Sequence, residues 1–390
     1  MNATMENGIL KAALSGHIDS GNAPAVESEL MALREREPHD GMVLDLKELT
    51  YISSAGLRVV LRLRKLEPQF KLVNVSAEVY EILDMTGFTE MMTVEKAYRE
   101  LSVEGCEVIG RGANGTVYRI DKDTVVKVYR DADCLPDVQR ERELARKAFV
   151  LGIPTAIPYD VVRVGESYGS VFELLNSRSF SKLIAADPAG MDKYVDLYVD
   201  LMKKMHSTHV KPGDMPRMKE IALNWVTFLR EYLPADQAEK LVALVEAVPE
   251  RDTMLHGDYH TNNIVMQNDE VLIIDMDTLC VGHPIFELAS MYLGFVAFGE
   301  LDPNVTLNFL KMTHDTAVVF WKKALAKYLG SDDDAAIRAV EEKAMVIGYA
   351  RLMRRTIRRN GFGTEDGRAT IVLCKERLAD LLSRVDSLDF

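Results

Sequence analysis

The first hundred residues switch between two hydrophobic periodicities. "GILKAAL", "GMVLDL" and "FKLVNV" are short apolar runs of strand length, with "GMVLDL" reading as a short buried strand. Between them, "APAVESELMAL" places Val26, Leu30 and Leu33 at helical spacing. "SSAGLRVVLRLRKL" puts Leu57, Val60 and Leu61 on one helical face and Arg58, Arg62 and Lys65 on the other. "GHIDSGN" reads as a turn, "AEVYEILDMTGF" as a helix stopped by Gly87, and "VEKAYREL" as a last helix. Strands alternating with helices across short connections predict an α/β layered fold for this segment.

The pattern changes after a seam at "SVEG". "CEVIGRGANGTVYRI", "DTVVKVY" and "YDVVRVGESYGSVFELL" are strand-rich, interrupted by a helix at about 137–151. From about residue 178 the chain is mostly helical, except for one β island, "NIVMQNDEVLIIDMD". The expected organisation is a domain at 1–103, a β-rich small lobe at 104–176 and a helical large lobe at 177–390, with a cleft between the lobes.

Composition narrows the class. A chain of 390 residues with 47% apolar and 27% charged residues holds two or three globular domains. Its net charge of −13 argues against nucleic-acid binding and suits small-molecule or protein partners. Cys106, Cys134, Cys280 and Cys374 are scattered, as buried thiols in a reducing compartment are. The start, "MNATMENG", lacks the features of a signal peptide, and no apolar run reaches the roughly 18 residues of a membrane span. The cytoplasm is the expected location.

Three chemistries compete for "MLHGDYHTNNIV", which gathers His256, Asp258, His260 and Asn263. For zinc, His256 and His260 are four apart, but Gly257 and Asp258 disfavour the shared helix and no third ligand follows. For a nucleophilic hydrolase there is no GxSxG motif and no cysteine in a reactive setting. Phosphoryl transfer fits closely. Asp258 and Asn263 have the D-x-x-x-x-N spacing of a kinase catalytic loop, and a hairpin then leads to Asp275. Asn263 and Asp275 supply the hard oxygens that Mg²⁺ prefers, which leaves Asp258 to accept or align a hydroxyl proton.

Upstream, Gly110, Gly112 and Gly115 surround Asn114 and lead to Val117, between two strands and not between a strand and a helix. That is a hairpin flap of the kind that covers nucleotide phosphates, or a plain turn. Lys127 lies between valines on the next strand; facing the cleft, it would need an anion. On the following helix Glu141 shares the apolar face with Leu144, Ala148 and Leu151, which makes it the expected partner of Lys127, with Glu143 in reserve.

His256, Gly257, Asp258, Tyr259, His260 and Asn263, followed by Ile274, Asp275, Met276 and Asp277, resemble the aminoglycoside phosphotransferase and choline kinase family over about residues 105–390. The resemblance implies an α+β, two-lobed protein-kinase-like fold and a small-molecule kinase. It implies Asp258 as catalytic aspartate, Asn263 and Asp275 as Mg²⁺ ligands, Lys127 on the nucleotide phosphates and His260 as support for the loop. It also implies an adenine hinge at the backbone of Glu173 to Leu175, with ATP as nucleotide and GTP left open. Three positions depart from the pattern: His283 in place of an aspartate, Thr261-Asn262 in place of Pro-Gly, and Asp-Met-Asp where protein kinases have Asp-Phe-Gly.

"LDLKELTYISSAGLRVVLRL", with "GHIDSGNAP" before it and "LVNVSAEVYEILDMTGF" after it, resembles the STAS domain of anti-sigma factor antagonists. In regulatory members the serine ahead of the helix is phosphorylated, and Ser54 aligns with it; a helix N-terminus favours a phosphate there. The competing reading makes Ser53 and Ser54 simple N-caps. Finally, "YARLMRRTIRR" puts Arg351, Arg354, Arg355, Arg358 and Arg359 on one helix. They suit an anionic substrate or acidic partner, or form a solvated face neutralised by "SDDD" at 331–334.

The expectation is a STAS-like α/β domain fused to an ATP- and Mg²⁺-dependent kinase that phosphorylates a small-molecule hydroxyl. The overall acidity suits a cationic substrate. The rival is a nucleotide-sensing regulator that switches protein partners through the first domain, and a third reading has the kinase phosphorylate Ser54 or a protein.

Overall fold

The computed structural model describes residues 2–36, 38–112, 114–131 and 133–390. Two compact units divide the chain, Met1–Ser102 and Val103–Phe390.

In the smaller unit, Ile9–Ile18, Gly41–Ile52, Phe70–Val75 and Thr93–Lys96 pair in parallel, and Asn2–Glu6 adds an antiparallel edge to Ile9–Ile18. Helices Ala23–Arg36, Ser54–Leu66 and Ala77–Met85 connect the parallel strands, as the alternation predicted. Leu44, Leu46, Leu72, Leu30, Leu63 and Val79 are fully buried in its core. Several boundaries differ from the sequence reading. The edge strand Asn2–Glu6 has no counterpart among the apolar runs. The run "GMVLDL" continues as strand to Ile52, and Gly16 to Ile18 are strand, so the turn starts at Asp19. There the Asp19 carboxylate accepts from the Gly21 and Asn22 N–H groups at 2.7 and 3.1 Å. On Ser54–Leu66 the buried face carries Val59 and Leu63 beside Leu57 and Val60, and Leu61 is only half-buried.

The predicted last helix is not one. "VEKAYREL" forms the strand Thr93–Lys96 and the two-residue strand Arg99–Glu100. Val94 sits opposite Leu72. The open edge of Phe70–Val75 offers a row of backbone partners that local periodicity does not register, and pairing overrides helix propensity.

The larger unit has the kinase-like fold expected of residues 105–390. Strands Pro158–Val164, Ser167–Glu173, Thr124–Tyr129, Gly115–Arg119 and Glu107–Arg111 pair antiparallel in that order, and the helix Leu135–Val150 packs against them. Leu151, assigned to that helix's apolar face, lies just beyond its end and is exposed. The C-terminal part is helical, built around Met191–His206, Ile285–Phe295, His314–Leu329, Asp334–Arg358 and Glu365–Leu382. Every residue of Ile285–Phe295 is buried, so this helix forms the centre of the core.

The β island is the hairpin Ile264–Gln267 and Glu270–Ile273, joined by Arg178–Ser179 as a third strand. Its two-residue turn, Asn268-Asp269, has positive φ at both positions (49° and 64°), the hairpin geometry whose twist matches the flanking strands. A separate pair, Met254–Leu255 with Cys280–Val281, brackets the whole His256-to-Thr278 segment. Among the described residues no helix is long and apolar enough to cross a membrane.

Candidate active site

The loop that follows Met254–Leu255 is stitched to the segment around Asp275 by its own polar groups. Gly257 has φ +80°, and a Cβ there would lie 2.6 Å from the Thr278 carbonyl oxygen, so glycine is required on both counts. Buried His256 accepts the Asp258 N–H at Nδ1 (3.3 Å), which leaves Nε2 protonated to donate to the Ile274 carbonyl (3.1 Å). The Thr278 hydroxyl donates to the His256 carbonyl at 2.8 Å, and the Ile274 N–H donates to the Asn263 carbonyl at 2.9 Å. Asp275 itself is held at φ 67°, a conformation uncommon for a non-glycine residue and often found at functional sites. With both His256 nitrogens engaged inside the protein, the zinc reading has lost one ligand. Among the described residues no group of three His, Cys, Asp or Glu side chains is disposed to hold a metal.

Asp258 lies beside His260, with Oδ2 3.4 Å from Nε2. Burial alone would raise the Asp258 pKa. The His260 hydrogen bond and the positive fields of His260, Arg351 and His256 outweigh it and hold the carboxyl well below the usual range. The His260 ring packs edge-on against Phe309 at 4.7 Å. Asn263 donates from Nδ2 to the Asp258 backbone carbonyl at 3.1 Å, so Oδ1 is the side chain's remaining acceptor.

Lys127 joins the two sides of the cleft. Its Nζ lies 2.9 Å from Glu141 Oε1 and 2.7 Å from Asp275 Oδ1. Burial acts to lower the lysine's pKa, but Glu141, Asp275 and Asp277 together raise it above its ordinary range. Glu141 is 2% exposed, and burial pushes its carboxyl up to about 7 against the pull of Lys127. Glu143 points outward and pairs with Arg146 at 2.8 Å, so the reserve partner is not used. Asp277 is raised by burial and then by Asp275 close by, and it accepts from Asn114 Nδ2 at 2.9 Å.

A cleft of about 770 Å³ brings together Gly112, Gly115, Val117, Lys127, Glu141, Glu173, Leu175, Asn263 and Asp275. Gly115 is needed where it stands, since a Cβ would meet the Val128 carbonyl oxygen at 2.3 Å. Gly110 is not in the cleft wall; it sits in the strand Glu107–Arg111 opposite Val117. Asn114 lines a neighbouring cavity with Asp277, and Ala113 lies outside the described residues. At the expected hinge, the Glu173 N–H donates to the Ile157 carbonyl and the Leu174 N–H to the Asp123 carbonyl, at 3.0 and 2.7 Å. Among the described residues the Leu175 N–H makes no such bond.

Several supporting residues escaped sequence reasoning. Fully buried Glu287 accepts the backbone N–H groups of His256 (2.5 Å) and Gly257 (3.0 Å). Ser290 Oγ and Arg351 Nη1 both donate to the Gly257 carbonyl, at 3.1 and 3.0 Å, and the Tyr198 hydroxyl donates to the Tyr259 carbonyl at 2.9 Å. The one available signal was a glutamate and a serine three apart on an otherwise apolar helix. His283 caps that helix locally, accepting the Ile285 N–H at Nδ1 (3.2 Å), and burial lowers its pKa to about 4. The Thr261 hydroxyl bonds Ser181 at 2.7 Å and Asn262 donates to the Phe309 carbonyl at 2.5 Å, so the unusual Thr-Asn pair anchors the loop.

The acids of "SDDD" do not neutralise the arginines. They cap the start of the 25-residue helix whose last turns carry Arg351 to Arg358, on the order of 30 Å away. In the smaller unit Ser53 is the N-cap of Ser54–Leu66, its Oγ accepting the Gly56 N–H at 3.4 Å, and Ser54 is the exposed first residue of the helix.

The phosphotransferase enzyme family matches residues 105–318 of the chain, and the STAS domain matches residues 1–101. A putative anti-sigma factor antagonist BtrV of Bordetella bronchiseptica is 39% identical over 100 residues, spanning 24% of this chain and 85% of that protein. Among solved structures, a thermostable mutant of aminoglycoside phosphotransferase APH(4)-Ia in its apo form is 12% identical. The similarity covers 72% of this chain and 97% of that one, with a TM-score of 0.49. A choline/ethanolamine kinase family protein from Mesorhizobium loti is 14% identical over 71% of this chain and 87% of that one, with a TM-score of 0.47.

Proposed function

The chain belongs to the phosphotransferase enzyme family and carries an N-terminal STAS domain, and from that premise we propose that it transfers the γ-phosphate of ATP to a hydroxyl of a small molecule. The observation that carries this reading is Lys127, whose ammonium meets both Glu141 and Asp275 at the cleft that Asn263 also lines.

Each side chain has a task. Lys127, oriented by Glu141, binds the nucleotide phosphates, and the glycine loop with Gly112, Gly115 and Val117 covers them. Leu175, whose N–H has no backbone partner among the described residues, offers it to the adenine. Asn263 and Asp275 would hold Mg²⁺. Their oxygens are the hard donors it takes, and two neighbouring carboxylates, Asp275 and Asp277, call for a cation. Bound there, the ion would neutralise and align the triphosphate. Asp258, ionised and held by His260, aligns the acceptor hydroxyl and receives its proton. Four free thiols and an acidic surface fit a cytoplasmic enzyme that binds no nucleic acid.

The similarity of residues 1–101 to an anti-sigma factor antagonist favours a second reading, in which this domain binds a protein partner and Ser54 is a phosphorylation site. Nucleotide binding without turnover would then make the larger unit a sensor. The deciding measurement is ADP release with ATP, Mg²⁺ and a panel of hydroxyl compounds. Acceptor-dependent turnover that disappears in Asp258→Asn supports the kinase, whereas tight nucleotide binding with no turnover supports the sensor. Radiolabel on the protein itself, lost in Ser54→Ala, identifies Ser54 as the acceptor.

A further inference from the structure

Two arginines near the end of Asp334–Arg358 act on the Asp258 loop, Arg351 by contact and Arg355 through its field. Arg351 and Arg355 are four apart and share a helical face. Arg351 reaches the loop directly, donating to the Gly257 carbonyl (3.0 Å) and to Ser290 Oγ (2.9 Å), with its guanidinium 5.1 Å from the centre of the Trp225 ring. Arg355 lies 5.0 Å from the centre of the Phe298 ring. Phe298 packs on Phe309 at 6.1 Å, and Phe309 packs on His260 at 4.7 Å, so a continuous aromatic wall links Arg355 to the partner of Asp258.

Arg351 is committed to the loop, but Arg355 is not. Among the described residues it makes no hydrogen bond and no ion pair, and beyond the Phe298 ring it stays partly open to solvent. Partial burial, then Arg359 and Arg351, weaken its hold on the proton, and Asp258 acts the other way. A guanidinium is a planar fork of donors suited to a carboxylate or phosphate. Here it lies 5.0 Å from a ring centre, beside like charges and within the field of Asp258, without a counter-anion among the described residues.

We propose that the acceptor is a small alcohol that also carries a carboxylate or phosphate, and that Arg355 receives this anionic group while Asp258 holds the hydroxyl. This deepens the phosphotransferase reading and rests on it. The hydroxyl oxygen bonds to the γ-phosphorus, the bond from that phosphorus to the β,γ-bridging oxygen breaks to release ADP, and the hydroxyl proton passes to Asp258. The inference reverses the expectation of a cationic substrate, because net charge is an average over the surface and the acceptor side has its own local field.

The test uses the full-length protein with ATP and Mg²⁺ and a matched set of short alcohols: glycerate, glycerol 3-phosphate, glycerol, choline and the aminoglycoside kanamycin. Glycerate or glycerol 3-phosphate is expected to be the preferred acceptor, and the two arms separate carboxylate from phosphate. Arg355→Gln is expected to raise KM for that acceptor about 10- to 100-fold, the loss of one charge-assisted contact, with a smaller change in kcat. Arg355→Lys should recover part of it, and Arg338→Gln, near the other end of the same helix, should change nothing. Preference for choline, kanamycin or glycerol overturns the proposal, as does an absence of turnover with both anions, or an unchanged KM in Arg355→Gln. Binding of a fluorescent ATP analogue is followed in parallel. If nucleotide binds and only the anion preference fails, the acceptor class is wrong; if no nucleotide binds, the phosphotransferase reading itself falls.

Discussion

The carboxylate of Glu287 accepts two consecutive backbone N–H groups, those of His256 at 2.5 Å and Gly257 at 3.0 Å. It does so from a helix with no exposed residue, so the loop that carries Asp258 is pinned to the centre of the core. Two buried donors would otherwise be unpaired, at about 1–3 kcal/mol each. Glu287→Ala should therefore lower the melting midpoint of the larger unit strongly. Glu287→Gln should fall between it and wild type, because the amide still accepts one bond but turns its own N–H₂ toward the second donor. Thermal unfolding of the three proteins checks the order, and an unaffected alanine variant would remove Glu287 from this role.

Gly257 sits where a side chain does not fit, at φ +80° and against the Thr278 carbonyl. Gly257→Ala should cost about 1–3 kcal/mol of stability from backbone strain and should displace Asp258. Turnover should then fall more than nucleotide affinity does. Parallel measurement of both tells displacement of the loop from general unfolding.

Burial of Glu141 gives the larger unit a specific pH dependence. Its carboxyl titrates near 4.5 when unfolded and is raised to about 7 when folded. The folded state thus binds the proton more tightly. The contribution is fully present below about pH 4.5 and is lost as pH rises through about 7. It amounts to about 3 kcal/mol at most. Glu141→Gln removes the titration. Chemical denaturation at intervals from pH 4.5 to 8 should show wild type losing stability relative to the variant across that window; parallel curves would mean the carboxylate is ionised throughout.

Asp258 and Lys127 should fail in different ways. Asp258→Asn removes the group that aligns the hydroxyl and takes its proton, so kcat should drop about 10²- to 10⁴-fold with nucleotide affinity near wild type. Lys127→Met should weaken nucleotide binding itself and release Glu141 as an uncompensated buried carboxyl. Steady-state kinetics with fluorescence binding separates the two. Equal effects of both variants on both parameters would contradict the division of labour.

In the smaller unit the adjacent serines differ by one position. Ser53 accepts the Gly56 N–H and Ser54 does not cap. Ser53→Ala should cost about 1 kcal/mol, and Ser54→Ala should leave the unfolding midpoint within experimental error. Denaturant unfolding of both variants is the check. A larger loss at Ser54 would assign the cap wrongly.

Where the deciding interactions are local, the residues themselves announced the outcome. Helix and strand periodicity identified most elements of both units, because burial of one face is written at spacings of two or of three to four residues. The Asp258, Asn263 and Asp275 segment was legible because chemistry needs those groups at short spacing around one hairpin. Glu141 could be singled out from its helix because it alone among the nearby acids sat on the apolar stripe.

Folding alone decided the rest, since it depended on partners far away in the chain. "VEKAYREL" became strand because Leu72 and its neighbours presented an open edge. Glu287 and Arg351 serve Gly257 across separations of 30 and 94 residues, which no local pattern encodes. The arginine run shows the limit most plainly. Its sequence established a cationic helical face, but only packing brought Arg351 and Arg355 within the field of Asp258 and put the acids of "SDDD" at the helix's other end. Periodicity specifies which side of an element is buried; what stands opposite it is a property of the assembled core.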